Sequence, residues 1–296
     1  MMEGHSRRQM LLASVAASVL PGCVMRPAST PAPLGIGDIT VRKELQADFT
    51  GTLAKLKVMG YTHFGSRMSA YSPAEPPEPL PADKAQMLRD AGFLPGPARL
   101  GFGSPLERDI DAALAFGAST LVLSAGHIFF DVRGGMKPRT PTRAELDSFI
   151  GELGAMGAKI HAAGLKFAYH NHWFDSTPIE GVHPLNLMIE RTDPAHVFFE
   201  IDLAWAHIAG EDVLGLIRRL GPRLVSMHVK DVDRTRGTDP QAQMVPAGDG
   251  EMNYTVLAPA IRALTKALPV VEVDNPADGL VAAARACQFI RKSWQA

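Results

Sequence analysis

The stretch Gly164-Leu165-Lys166-Phe167-Ala168-Tyr169-His170-Asn171-His172 decides how the rest of the chain is read. It opens on a glycine able to close a helix in the left-handed conformation, passes through an apolar run, and ends in side chains that bind metals and carry protons. Upstream, a helical pattern begins at Thr142, where Glu145 three residues on completes a capping box, and stops at Ala162-Ala163. The same unit, a short apolar run followed by a longer helical pattern, recurs from residue 38 onward. Strands are expected at 38–41, 61–65, 98–102, 120–125, 166–172, 197–203, 224–230 and 270–274. Between them Phe49, Leu53 and Leu56 share one helical face, as do Leu257, Ile261, Leu264 and Leu268, and Pro276 suits the first turn of the last helix. Eight strand–helix units in roughly 260 residues predict a single (β/α)8 TIM barrel of the α/β class. An open doubly wound sheet would show a glycine-rich phosphate turn after its first strand, and Val41-Arg42-Lys43-Glu44 is not one.

Composition excludes several alternatives. The 296 residues carry 30 Lys+Arg against 31 Asp+Glu, so no basic field draws the chain to nucleic acid. No apolar run reaches the ~18 residues of a membrane span. With 46% hydrophobic residues and 2 Cys, neither disorder nor a disulfide scaffold fits. Residues 1–23 read as a signal peptide. Arg7-Arg8 before Met10-Leu11 resembles a twin-arginine export signal, and Leu20-Pro21-Gly22-Cys23 resembles a lipoprotein box. The expected location is therefore the periplasm, free or tethered to the membrane through an acylated Cys23. Residues 24–37, with Pro27, Pro31 and Pro33, read as a linker, and 38–296 as the barrel. Ser69–Pro81, which holds five prolines, reads as a rigid wall of the site.

In a TIM barrel the reacting groups project from the carboxyl ends of the strands. Here the last four strands end in Tyr169-His170-Asn171-His172, Glu200-Ile201-Asp202, His228-Val229-Lys230-Asp231 and Glu272-Val273-Asp274-Asn275. Alternation along a strand can place His170/His172, Glu200/Asp202, His228/Lys230 and Glu272/Asp274 each on one face. Any one of these is more often a hydrogen-bonded structural residue; four successive strand ends together point to a site. Buried carboxylates need counter-charge, and a mixed imidazole and carboxylate set suits Mn²⁺, Co²⁺ or Zn²⁺.

These motifs, with Gly248-Asp249-Gly250 and Val271 to Pro276, resemble the xylose isomerase-like TIM barrels, the sugar phosphate isomerase/epimerase superfamily, in the family's own order. The resemblance covers about residues 38–293 and is strongest after 164. It implies one divalent metal held by a Glu, an Asp, a His and a Glu from strands five to eight. Asp202, His228 and Glu272 match three of these; the strand-five glutamate is absent, and His170 stands there, with His172 close behind. The implied chemistry is abstraction of a proton beside a carbonyl of a sugar or keto-sugar, through a metal-stabilised enediolate. With one glutamate replaced, elimination becomes as reasonable as epimerisation. Glu272 is the first candidate base, with His172 or Glu200 as partner and Lys230 or Arg234 for substrate oxygens. Trp205 and Asp274 complete the candidate substrate contacts, and the Gly248–Gly250 loop is a candidate to close over the substrate. The competing reading is an exported sugar-binding lipoprotein that keeps the barrel without catalysis. A DNA-repair role, also found in the superfamily, fits poorly with the near-neutral charge.

Overall fold

A computed structural model describes residues 32–68, 79–101, 103–131 and 137–293. The expected export signal, Cys23 and most of the proline-rich segment 69–81 lie outside the described residues. Eight parallel strands close into one ring: β1 (Gly35–Gly37), β2 (His63–Arg67), β3 (Leu94–Arg99), β4 (Thr120–Leu123), β5 (Lys166–His170), β6 (Val197–Asp202), β7 (Leu224–Val229) and β8 (Leu268–Val271). The ring is sealed by β1, whose Ile36 lies opposite Phe64 of β2 on one side and Val271 of β8 on the other.

Among the described residues ten helices accompany the ring: α1 (Arg42–Ala47), α2 (Phe49–Met59), α3 (Pro81–Asp90), α4 (Leu106–Phe116), α5 (Arg143–Ala162), α6 (Pro184–Arg191), α7 (Leu203–Ile208), α8 (Val213–Leu220), α9 (Tyr254–Leu264) and α10 (Gly279–Ser293). Helix α5 shows how sequence sets these elements. Leu146, Phe149, Ile150 and Leu153 recur at helical spacing and are buried in the core. Its start is the expected capping box, in which Thr142 Oγ1 accepts from Glu145 N and the Glu145 carboxylate accepts from Thr142 N. Gly164 follows its end with φ 86°. No helix among the described residues is long and apolar enough to cross a membrane.

The element boundaries depart from the sequence reading, most of all at four places. The first strand is Gly35–Gly37, not 38–41, so the barrel begins inside the stretch 24–37 expected as a linker. Asp38–Val41 is instead a 3-10 helix, opened by Asp38, whose carboxylate accepts from Ser66 Oγ and Arg67 N at the end of β2. The third strand starts at Leu94 rather than 98, because Pro95 and Pro97 disguise it. Both lie in the part of β3 that β4 does not pair, since only Ala98 and Arg99 pair with β4. Leu268 opens β8 rather than ending α9, and Pro276 precedes α10 instead of entering its first turn.

Candidate active site

Alternation within β5 to β7 sorts side chains as the period of a strand requires. Phe167, Tyr169, Phe199, Ile201, Met227 and Val229 join the hydrophobic core. His170, Glu200, Asp202, Ser226 and His228 form a polar cluster of their own, each nearly or wholly buried. The turn from β6 into α7 fixes Asp202. As the N-cap it accepts from Ala204 N and Trp205 N through Oδ1, both at 3.0 Å, and Oδ2 is left for the site. Asn171 Oδ1 accepts the Asp202 N–H at 2.8 Å and locks the end of β6 to β5. Glu272 follows β8 directly, and β1 makes room for it: a Cβ on Gly37 would lie 2.5 Å from Glu272 Oε2.

His228 is the centre of the cluster. Its Nδ1 lies 3.4 Å from Asp202 Oδ2 and 3.1 Å from Glu272 Oε1, while Nε2 lies 3.1 Å from Glu200 Oε1. His170 stands beside it, with Nδ1 3.3 Å from Glu200 Oε1 and Nε2 4.0 Å from Asp202 Oδ2. Lys230 places Nζ 2.8 Å from Asp202 Oδ2 and 2.6 Å from Asp274 Oδ2. The cluster therefore gathers His170, Glu200, Asp202, His228, Lys230, Glu272 and Asp274, all expected from strand ends.

Arg99, at the end of β3, is one of two cluster residues that the sequence did not announce. Its guanidinium donates to Glu200 Oε1 at 2.9 Å and Glu272 Oε2 at 3.4 Å, and Nη2 is 2.5 Å from His228 Nε2. Ser226 also went unassigned, and its hydroxyl donates to Glu200 Oε2 at 2.7 Å. Neither left a signal: a lone arginine after Leu94-Pro95-Gly96-Pro97-Ala98 and a serine within an apolar run look structural.

The charges govern one another. Burial would raise the carboxyls, but neighbouring cations overturn it. Arg99 and His228 hold Glu200 well below the usual carboxylate range, Lys230 and His228 hold Asp202 down, and His228 and Arg99 do so for Glu272. Burial would lower Lys230, and Asp202, Asp274 and Glu272 raise it instead. Burial likewise opposes charge on His228, yet Glu272 and Glu200 lift it well above the usual imidazole range. His170 and His172 are lowered, first by burial and then by the neighbouring imidazole, His228 and His170 respectively.

Four expectations change. Arg234 does not join the cluster; it is half-exposed and donates to Glu251 Oε1 at 2.8 Å. Trp205 is 1% exposed, packed against His172, Trp173 and the Lys230 ammonium, which leaves little of its ring for a sugar. The Gly248–Gly250 loop is pinned rather than hinged. The buried Asp231 carboxylate accepts from Gly248 N at 3.0 Å and Met252 N at 2.9 Å, and a Cβ on Gly250 would lie 2.3 Å from Val232 O. His172 is shifted from the strand end into the first turn after it, stacked on Phe174 at 5.1 Å, with Nδ1 buried and lacking a hydrogen-bond partner.

The donor set suits a divalent cation. Asp202 Oδ2 and His228 Nδ1 are buried without a hydrogen bond of proper geometry, as is His170 Nδ1. Bonds of about 2.1 Å at tetrahedral or octahedral angles place neighbouring ligand atoms roughly 3.0–3.4 Å apart, the spacing seen around His228 Nδ1. Single ligand atoms of His170, Glu200 and His228 also fall within 4.8 Å of one another.

A closed parallel barrel gathers carboxylates and imidazoles at the ends of its last four strands, and among them His170, Glu200 and His228 could hold a metal ion. The model of the xylose isomerase-like TIM barrel family matches residues 102–293, more than half of the chain, and the chain belongs to that family. An inosose dehydratase from Salmonella agona (strain SL483) is 31% identical over 80 residues, 27% of this chain and 26% of that protein. The match thus spans about a quarter of that relative's length. Among solved structures, a sugar phosphate isomerase/epimerase from Parabacteroides distasonis ATCC 8503 is similar with TM-score 0.74 and 18% identity, over 92% of this chain and 98% of that one. The IOLI protein with a zinc atom is similar with TM-score 0.66 and 12% identity, over 89% and 98% of the two chains.

Proposed function

We propose that the protein is a divalent-metal-dependent isomerase, epimerase or lyase that removes a proton beside the carbonyl of a sugar, keto-sugar or cyclitol. The observation that carries this reading is the position of His228 Nδ1, 3.4 Å from Asp202 Oδ2 and 3.1 Å from Glu272 Oε1. Asp202, His228 and Glu272 would hold the ion, with His170 Nε2 as fourth donor. When bound, a divalent ion polarises a substrate carbonyl and offsets the negative charge that develops on its oxygen.

The remaining steps belong to side chains. Glu200 is spoken for: Oε1 accepts from Arg99 and Oε2 from Ser226, so it orients rather than reacts. Glu272 is held more loosely, with Arg99 3.4 Å from Oε2, and with His172 it forms the proposed proton-transfer pair. His172 keeps Nδ1 without a partner, and burial favours its neutral form, as a base requires. Lys230, fixed between two aspartates, supplies positive charge for a substrate oxygen. The curated relative is a dehydratase, and one glutamate of the two-base set is replaced here by histidine; both favour elimination over two-face epimerisation. Export belongs to the same proposal, and Cys23→Ala is expected to move the protein from membrane to soluble fractions; unchanged fractionation would remove the anchor.

Elemental analysis of the purified protein and of Glu272→Gln tests the reading. About one divalent ion per chain is expected in the former and a depleted content in the latter, with elimination or α-proton exchange on keto-sugars only in the loaded protein. No metal in either, even after soaking with Mn²⁺, Co²⁺ and Zn²⁺, would favour a binding protein.

A further inference from the structure

Two overlapping donor sets share the imidazoles of His170 and His228. One uses His228 Nδ1 with Asp202 and Glu272. The other uses His228 Nε2, 3.1 Å from Glu200 Oε1, and His170 Nδ1, buried without a hydrogen-bond partner and 3.3 Å from the same oxygen. By convergence alone these three residues could hold a cation, since one ligand atom from each of His170, Glu200 and His228 falls within 4.8 Å of the others. Its position is taken. Arg99 reaches in from β3 with Nη1 2.9 Å from Glu200 Oε1 and Nη2 2.5 Å from His228 Nε2, and Nη2 also reaches Glu272 Oε2 at 3.4 Å.

A guanidinium is always charged and has no lone pair to offer a metal. A divalent ion beside it would meet strong repulsion in a buried site, whereas the Lys230 ammonium on Asp202 Oδ2 keeps Asp274 Oδ2 at 2.6 Å when an ion takes the Asp202 oxygen. The arrangement has a second consequence. With Glu272 Oε2 engaged by Arg99, Oε1 is the oxygen left facing His228 Nδ1.

We propose that Arg99 selects between two overlapping cation sites: it occupies the His170–Glu200–His228 set and so directs a divalent ion to the Asp202 and Glu272 side. This rests on the metal-dependent reading above, and its test separates the two. It also assigns β3, whose end lacks any ligand-type residue, a positioning role in the site.

The test titrates Mn²⁺ into metal-stripped full-length protein and reads the free ion by electron paramagnetic resonance. Glu200→Gln and Glu272→Gln are each made with Arg99 present and in an Arg99→Met background. With Arg99, Glu272→Gln is expected to weaken binding about tenfold or more, and Glu200→Gln less than about threefold. In the Arg99→Met background the dependence is expected to exchange, Glu200→Gln weakening binding about tenfold and Glu272→Gln little. Arg99→Lys, which keeps the charge, should behave as the natural protein. The same carboxylate dependence in both backgrounds would overturn the proposal, as would Arg99→Met binding no Mn²⁺.

If circular dichroism shows Arg99→Met unfolded, Glu200→Gln with Arg99 in place decides. A tenfold loss there makes Glu200 a ligand and overturns the selection; retained affinity upholds it. Should the natural protein bind no Mn²⁺ while Arg99→Met binds it in a Glu200-dependent way, the selection stands and the metal-dependent function falls.

Discussion

The two halves of the barrel contribute opposite chemistry to one site. Strands β5 to β8 bring the imidazoles of His170 and His228 and the carboxylates of Glu200, Asp202 and Glu272. The half from β1 to β4 brings a cation, Arg99, and a space, the missing Cβ of Gly37 against which Glu272 Oε2 rests. The ligand-type groups of the cluster thus lie on one side, with Asn171, Ser226 and Lys230 among them, and the other side contributes constraint alone. Removing a ligand should abolish function, whereas changing a constraint should move the ligands without deleting them.

The sharpest way to break that contrast is His228→Ala. Loss of activity by about a thousandfold or more is expected with an unchanged circular dichroism spectrum, because no other described side chain links Asp202, Glu200 and Glu272. Full activity would place the site elsewhere. A constraint should cost less. In Gly37→Ala the new methyl meets the Glu272 carboxylate, and metal affinity should fall roughly tenfold while the protein still folds. Unchanged affinity would show that the first half does not shape the site.

The smallest effect concerns a group behind the ligands. Asp175 accepts from Tyr169 OH and His172 N, yet burial pushes its carboxyl up to about 7. An unfolded aspartate titrates near ~3.9, so the folded chain holds this proton more tightly. Its stabilisation is complete below about pH 4 and is lost as pH rises through about 7. Relative to Asp175→Asn, the natural protein should therefore lose stability between about pH 4 and 8, by at most about 1.4 kcal/mol per pH unit. A pH-independent difference in urea-unfolding free energy would contradict this.

The same contrast explains what the sequence made legible. Alternating apolar runs and capped helices expose the barrel, and His170, Asp202, His228 and Glu272 announce themselves because histidine and carboxylate recur at successive strand ends. The first half hides its part. Pro95 and Pro97 mask the start of β3, so Arg99 reads as an early residue of a strand at 98–102 and not as its end, and Gly35-Ile36-Gly37 is too short and too poor in side chains to read as a strand. Arg99 acts through distances to residues 101 to 173 positions away, which no local pattern records. Arg234 misled for the converse reason: it follows a strand end in sequence but turns outward to Glu251.

The most direct test of the account is to crystallise the protein with Mn²⁺ and locate the ion by anomalous scattering. The account predicts a single peak at coordination distance from His228 Nδ1, Asp202 and Glu272, with the Arg99 guanidinium still on Glu200. A peak between His170 Nδ1, Glu200 and His228 Nε2 with Arg99 displaced would contradict it, as would no peak in the barrel mouth.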